Sequence, residues 1–245
     1  MNHYDKEEIV IVSACRTPFG RFDSAMADIA SIDLAVIVMK EVIARVDVKP
    51  EDLDEINYGS CVLSEVALES DIPARQAALL AGWPPEMLSV TLDRACCSSL
   101  TALRLGVRAI KAGEATICMS VGSENMPRTP HLVPGLRRGT RIGHIRMIDG
   151  LFELGYSAKG FAPVSVDAGE VSLQYGITRE MQDAWALASQ ERYAQAFAAG
   201  KYKVGEEIVP VVIPQKKGEV PIVIDKDESP RQTTIEALEI GRAHV

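Results

Sequence analysis

Two apolar periods alternate through residues 8–122, and this alternation restricts the fold more than any other feature of the chain. Glu8 to Ala14 (EIVIVSA) reads as a short buried strand. Ser31 to Val46 has the helical period, with Ile32, Ala35, Val36, Met39, Val42 and Ile43 on one face and Lys40, Glu41 and Arg45 on the other. Ile56 to Leu63 reads as a second strand. Asp71-Ile72-Pro73 then opens a helix, with Asp as cap and Pro in the first turn, that stops at Gly82. Leu88, Val90 and Leu92 alternate as a third strand, a helix runs from Cys97 to Gly113, and Ala115 to Val121 is a fourth strand. Strands alternating with helices of this length predict an α/β fold, a mostly parallel sheet with helices on its faces.

After Gly122 the texture changes. Residues 123–178 are rich in Gly, Pro and Arg without a sustained period, and predict a loop-rich excursion. Thr178 is placed to cap a helix from Arg179 to Ala199 that Gly200 stops. Two β-rich runs follow, Glu207 to Ile213 and Val220 to Ile224, around the polar turn Gln215-Lys216-Lys217-Gly218. The expected organisation is an α/β domain over residues 1–122 and a loop domain over residues 123–239.

The net charge of −8, from 26 Lys+Arg against 34 Asp+Glu, argues against nucleic acid as a partner, because phosphate binding needs a positive surface. The first residues have no basic stretch leading into an apolar one, so no secretory signal is expected. No apolar run reaches the roughly 18–20 residues that a bilayer requires, so no membrane partner is expected. Five cysteines, an odd number, read as reduced thiols of a cytoplasmic protein. Their spacing with His3, His131, His144 and His244 gives no zinc pattern, and neither a metal nor a resident cofactor is expected.

The chemical centre lies in Leu88 to Leu100, which reads as strand, tight turn and helix. Leu100, Leu103, Val107 and Ile110 form an apolar stripe expected to hold that helix on the sheet. Cys96 then sits at the helix N-terminus, where free N–H groups and the helix dipole attract negative charge. It also lies beyond the carboxyl end of a strand, where ligands of open α/β sheets bind. A thiol suits acyl exchange with a thioester, since attacking and leaving groups are alike, and the N–H groups of the turn can hold an oxyanion. Placement alone fits small core cysteines equally well.

At these residues the sequence resembles the thiolase family, in several segments and in order. Ile9 to Gly20, with its Arg16-Thr17-Pro18 turn, resembles the family's opening strand, and Pro73 to Ala77 the helix before the nucleophile strand. Asp93 to Ala102 resembles the nucleophile segment, with the cysteine falling on Cys96 rather than Cys97. Gly122 to Met126 matches Gly-x-Glu-Asn-Met. Leu136 to Gly139, Met147 to Asp149, Arg179 to Gln190 and Ser229 to Glu236 continue the pattern. The resemblance implies acyl transfer from a coenzyme A thioester to Cys96, then to CoA or to a second acyl-CoA, cleaving or forming a 3-oxoacyl-CoA. Coenzyme A is then substrate and product, not cofactor, and the complete protein is expected to be a homodimer or homotetramer. Arg231 falls where some thiolases contact the nucleotide end of CoA; a solvated surface arginine is the other reading. Arg137, Arg138, Arg141 and Arg146 are expected to be a solvated basic face, and His131 and His144 surface residues.

Three departures from the family pattern stand out. Cys97 and Ser99 replace glycines around the nucleophile, and Pro163-Val164 replaces a His-Met pair near the pantetheine arm. The family's second-half Gly-His-Pro histidine and Cys-x-Gly cysteine, which activate the nucleophile and move protons on the substrate, are absent from these 245 residues. The chain is therefore expected to be an N-terminal part, inactive on its own and lacking the last strand of its sheet. The tail Ile240-Gly241-Arg242-Ala243-His244-Val245 back-translates to ATC GGA AGA GCA CAC GTC, which resembles a sequencing-adapter read, so residues 240–245 are expected to be an assembly artefact. The alternatives are a β-ketoacyl synthase-like condensing enzyme, whose Asp-x-Ala-Cys-x-Ser-Ser-Leu segment Asp93 to Leu100 also fits, or a non-catalytic acyl-CoA-binding relative.

Overall fold

The computed structural model describes residues 9–153 and 164–239. Its elements in chain order are α1 (Ser31–Ala44), β1 (Glu55–Gly59), α2 (Leu63–Val66), α3 (Pro73–Leu80), β2 (Leu88–Leu92), α4 (Ser98–Ala112), β3 (Cys118–Gly122), β4 (His131–Leu132), β5 (Ile148–Asp149), α5 (Gly150–Glu153), α6 (Val164–Gln174), α7 (Arg179–Ala198), β6 (Val211–Ile213), β7 (Ile222–Ile224) and α8 (Ile235–Glu239). The central sheet has the order β2-β1-β3 and is parallel throughout. Its strands are in register, so Leu92, Gly59 and Gly122 form one row at the carboxyl edge. The α/β expectation therefore holds. No helix among the described residues is long and apolar enough to cross a membrane.

The period-2 alternation of the strands gives the sheet two unlike faces. Ile56, Tyr58, Met119 and Val121 point to one side and form a core with Ala35 and Met39 of α1 and Ala74, Ala77 and Ala78 of α3, closed by Trp83 and Met87. Ile56, Tyr58 and Ala77 are wholly shielded from solvent. The other face carries Asn57, Gly59, Cys118, Ser120 and Gly122, small or polar residues that let α4 approach closely. A Cβ on Gly106 of α4 would sit 3.0 Å from Cys118 Cβ. At the carboxyl edge the approach is tighter. A Cβ on Gly59 would lie 2.5 Å from the Ser98 carbonyl carbon and 2.6 Å from the Ser99 nitrogen, and one on Gly122 would lie 2.6 Å from Ser99 Cβ.

This packing corrects the expected contact face of α4. Its buried residues are Ser98, Ala102, Gly106 and Ala109. Leu100 and Leu103 of the apolar stripe are 69% and 38% exposed instead. Small residues win because the opposing strand positions are themselves small, and a leucine cannot enter so narrow a gap. The strand expected over Glu8 to Ala14 also does not form in the described part, residues 9–14, which have no ladder partner among the described residues. Val10, Ile11 and Val12 are consequently exposed. The second strand stops at Gly59 rather than Leu63, since Ser60 to Val62 turn away to bond Glu124.

Beyond β3, Thr178 caps α7 as expected, its side chain accepting from the Met181 N–H, and β6 and β7 pair antiparallel. The eleven-residue α6 lies inside the stretch expected to be loop. Its apolar residues have no clear helical stripe, so periodicity did not reveal it. Residues 240–245, the suspected artefact, lie outside the described residues, as does Pro163.

One ion-paired staple ties the start of the described chain to its far end. Arg16 donates twice to Asp227, at 2.7 and 2.9 Å, and once to Glu207 at 2.8 Å. Asp227 also accepts from the Phe19 N–H at 2.8 Å and the Tyr193 hydroxyl at 3.0 Å. Desolvation opposes ionisation of Asp227, but these bonds outweigh it and hold the carboxyl below its ordinary range. The Arg16 guanidinium lies over the rings of Phe19 and Tyr202, 4.9 and 5.7 Å from their centroids.

Gly59→Ala is expected to cost roughly 3 kcal/mol, because the new methyl meets fixed backbone. Gly113→Ala, whose φ of 74° is left-handed but whose surroundings are open, should cost only about 1–2 kcal/mol; urea unfolding of both variants compares them. Because the folded Asp227 titrates below its unfolded value, its contribution is complete above about pH 4 and is lost as pH falls through the folded value. Asp227→Asn should therefore be less stable at neutral pH by about 1–2 kcal/mol, allowing for solvent screening of Arg16. The difference from wild type should shrink in an acid titration of unfolding.

Candidate active site

The turn from β2 into α4 holds Cys96 in an unusual backbone. Ala95, just before it, has φ of +48°, the left-handed region that non-glycine residues seldom occupy. Surrounding bonds over-determine that conformation. Asp93 Oδ1 accepts from the Ala95 N–H at 2.8 Å. The buried Ser98 hydroxyl accepts from the Arg94 N–H at 2.8 Å and donates to the Ala95 carbonyl at 2.7 Å. The Cys97 and Ser98 N–H groups turn back to the carbonyls of Arg94 and Ala95 at 3.1 and 3.0 Å. A strained strand-to-helix turn of this kind lifts a nucleophile clear of the backbone. Cys96 is exposed accordingly.

Two neighbouring loops complete the edge. Glu124, just past β3, accepts from the Ser60 hydroxyl and the N–H groups of Cys61 and Val62, each at 2.9 Å. The Ser60 N–H donates to the Leu92 carbonyl at 3.1 Å, and the Ser123 N–H to the Gly59 carbonyl at 3.3 Å. Asn125 donates to the carbonyls of Met26, Ala27 and Ile29, and the Ser123 hydroxyl to that of Ser31. Arg128 pairs with the wholly buried Glu65 at 3.0 Å, which in turn accepts from Ser31. The Gly-Ser-Glu-Asn stretch thus fastens the segments Gly59 to Val62 and Met26 to Ser31 rather than presenting reactive groups.

The five cysteines separate by environment. Burial, then a hydrogen bond to Glu124 and the nearby charges of Glu124, Asp93 and Cys96, push the Cys61 thiol up to about 12. Burial pushes Cys118 up to about 11 and raises Cys15 as well. Cys96 and Cys97 are the two exposed members.

The remaining candidates lie elsewhere. Arg231 is exposed, and its N–H donates to Gln190 Oε1 of α7 at 2.9 Å. Among the described residues no hydrogen bond or ion pair joins it to the Cys96 turn. Arg137, Arg138, Arg141 and Arg146 are all exposed, as are His131 and His144. A groove of about 510 Å³ is lined by Arg21, Tyr193, Phe197, Lys226 and Asp227 among others, not by Cys96. Ser98 and Glu124 lie in segments that carry the family resemblance, but their part in holding the surroundings of Cys96 was not read from the sequence. An Asp followed five residues later by Ser, across a strand-to-helix break, was the available signal.

Residues 9–243 match the family model described as the thiolase N-terminal domain. An acetyl-CoA acetyltransferase of Syntrophomonas wolfei is 42% identical over 94% of this chain and 57% of its own length. One of Pseudomonas aeruginosa is 38% identical over 95% of this chain and 58% of its own. Among solved structures, the Bacillus anthracis acetyl-CoA acetyltransferase superimposes with a TM-score of 0.85 at 31% identity, covering 93% of this chain and 56% of that one. The chain thus spans somewhat over half the length of the relatives it matches. On the strength of these matches, which extend over nearly its whole length, the chain belongs to the thiolase family.

Proposed function

We propose that Cys96 is the acyl-accepting nucleophile of an acyl-CoA C-acyltransferase. The observation that carries this reading is an exposed cysteine on a strained turn, at the N-terminus of a fifteen-residue helix and at the carboxyl edge of a parallel sheet. In the first step the Cys96 sulfur bonds to the thioester carbonyl carbon, and the carbon–sulfur bond to CoA breaks, with CoA leaving as its thiol. In the second, the acyl group passes to CoA or to the α-carbon of a second acyl-CoA, and the Cys96 thiol is regenerated. The positive end of the α4 dipole is proposed to stabilise the oxyanion formed in each step. The names of the matched acetyl-CoA acetyltransferases support a CoA thioester as donor.

Turnover needs more than a nucleophile. The Gly-His-Pro histidine and Cys-x-Gly cysteine that the family resemblance implies are not in these 245 residues. The chain alone is therefore proposed to accept an acyl group slowly and to retain it, while the complete protein, a cytoplasmic homodimer or homotetramer, performs the full reaction. Arg231 is proposed to meet the phosphate-bearing end of CoA.

Incubation with acetyl-CoA followed by peptide mass analysis should show one acetyl group on the Cys96 peptide, and none in Cys96→Ser. Steady condensation or thiolysis by the 245-residue chain would contradict the inactive reading. Preference for a carrier-protein thioester over acetyl-CoA would favour the β-ketoacyl synthase alternative. Arg231→Ala should raise the acetyl-CoA concentration for half-maximal acylation by roughly three- to tenfold, about 0.7–1.4 kcal/mol, and leave the maximal extent unchanged. An unchanged concentration dependence would return Arg231 to a plain surface role.

A further inference from the structure

Cys61 stands two residues beyond Gly59, and Cys96 two residues before Ser98. Gly59 and Ser98 are in direct contact, since a Cβ on Gly59 would lie 2.7 Å from the Ser98 carbonyl oxygen. The Cys61 loop is tied to the end of β2 through the Ser60–Leu92 bond, and its amides are fixed on Glu124. Two short segments clamped together at one sheet edge therefore carry the two sulfurs, and negative charge on Cys96 is felt at Cys61. The acyl-transfer steps do not use Cys61.

The other thiols are poorly placed to partner Cys96. Cys97 is its chain neighbour, and Cα atoms about 3.8 Å apart across a trans peptide fall below the usual disulfide span of about 4.4–6.8 Å. Cys118 pairs with Glu55 at the opposite end of the strands, four residues (about 13 Å) from the carboxyl edge. The Cys15 thiol is turned to the Val38 carbonyl of α1 at 3.5 Å.

We propose that Cys61 is a resolving thiol for Cys96, closing a reversible Cys61–Cys96 disulfide when a small-molecule disulfide RSSR reaches the site. Cys96 sulfur attacks one sulfur of RSSR; a Cys96–SR bond forms, the S–S bond breaks, and the first RS group leaves with the Cys96 proton as RSH. Cys61 sulfur then attacks the Cys96 sulfur, forming the internal disulfide, and its proton leaves with the second RS group as RSH. Two protein thiols are oxidised and one RSSR is reduced to two RSH. The protonated resting state of Cys61 makes resolution the slower step. The product masks Cys96 against irreversible oxidation.

The test uses the purified chain and glutathione disulfide, followed by alkylation, digestion without reduction, and mass analysis over time. A transient glutathione adduct on Cys96, giving way to a linked Cys61–Cys96 peptide pair that dithiothreitol separates, is the expected result. Cys61→Ser should keep the adduct on Cys96 at least tenfold longer, and Cys97→Ser should form the link unchanged. A wild-type chain that retains the adduct, or that links Cys96 to Cys97, overturns the proposal, and this outcome is read without any variant. The peptide map is independent of acyl transfer, so a Cys96 that never accepts acetyl from acetyl-CoA leaves this result standing.

Discussion

The contact between the first turn of α4 and the bare backbone of Gly59 and Gly122 is the constraint on which the site depends. The two glycines are adjacent in register, and each would place a Cβ within 2.6 Å of the helix start. Their lack of side chains lets the helix begin directly over the strand ends. The five residues that join β2 to α4 include Ala95 in the left-handed region. The start of α4, and with it the Cys96 turn, is thus set against the ends of β1 and β3. The strain is confined by Asp93 and Ser98, which satisfy the backbone groups that a tight turn would otherwise leave unpaired.

Around that contact, polar residues do what apolar ones cannot at a strand edge. A sheet's carboxyl end exposes carbonyl and N–H groups that hydrophobic side chains would bury without partners. From one short stretch, Glu124 meets Ser60 to Val62, Ser123 the Ser31 carbonyl, Asn125 the carbonyls of Met26, Ala27 and Ile29, and Arg128 the Asp28 carbonyl and Glu65. The large apolar residues are kept to the opposite face, against α1 and α3. The division leaves one face of the sheet to stability and the edge to chemistry.

This division also explains what could be read in advance. The central parallel sheet was legible because β1, β2 and β3 are bounded by helices with strong periods, and Pro73, Gly82 and Gly113 mark clear starts and stops. Cys96 was singled out by the ordered resemblance of several segments, and the structure keeps it exposed at a strand-to-helix break. The packing face of α4 was not legible. Hydrophobic patterning favoured Leu100 and Leu103, whereas the observed contact is governed by size, through Gly106 against Cys118. Nor was the fate of residues 9–14, because an apolar run announces a strand but does not supply its partner. The part that Glu124 and Ser98 play was not read because their bonds join residues far apart in sequence or run within a turn whose geometry no period encodes.

The staple between Arg16 and Asp227 has a consequence in time as well as in space. Its partners are 211 positions apart. A ribosome adding about 5–20 residues each second makes Arg16 roughly 10–40 s before Asp227 emerges. The β1-β2-β3 unit, whose pairings span far shorter separations, can form during that interval. The segment carrying Arg16 must wait until then for its Asp227 partner. Order along the nascent chain is thus the reverse of what position suggests: a segment synthesised before the β1-β2-β3 unit is fixed after it.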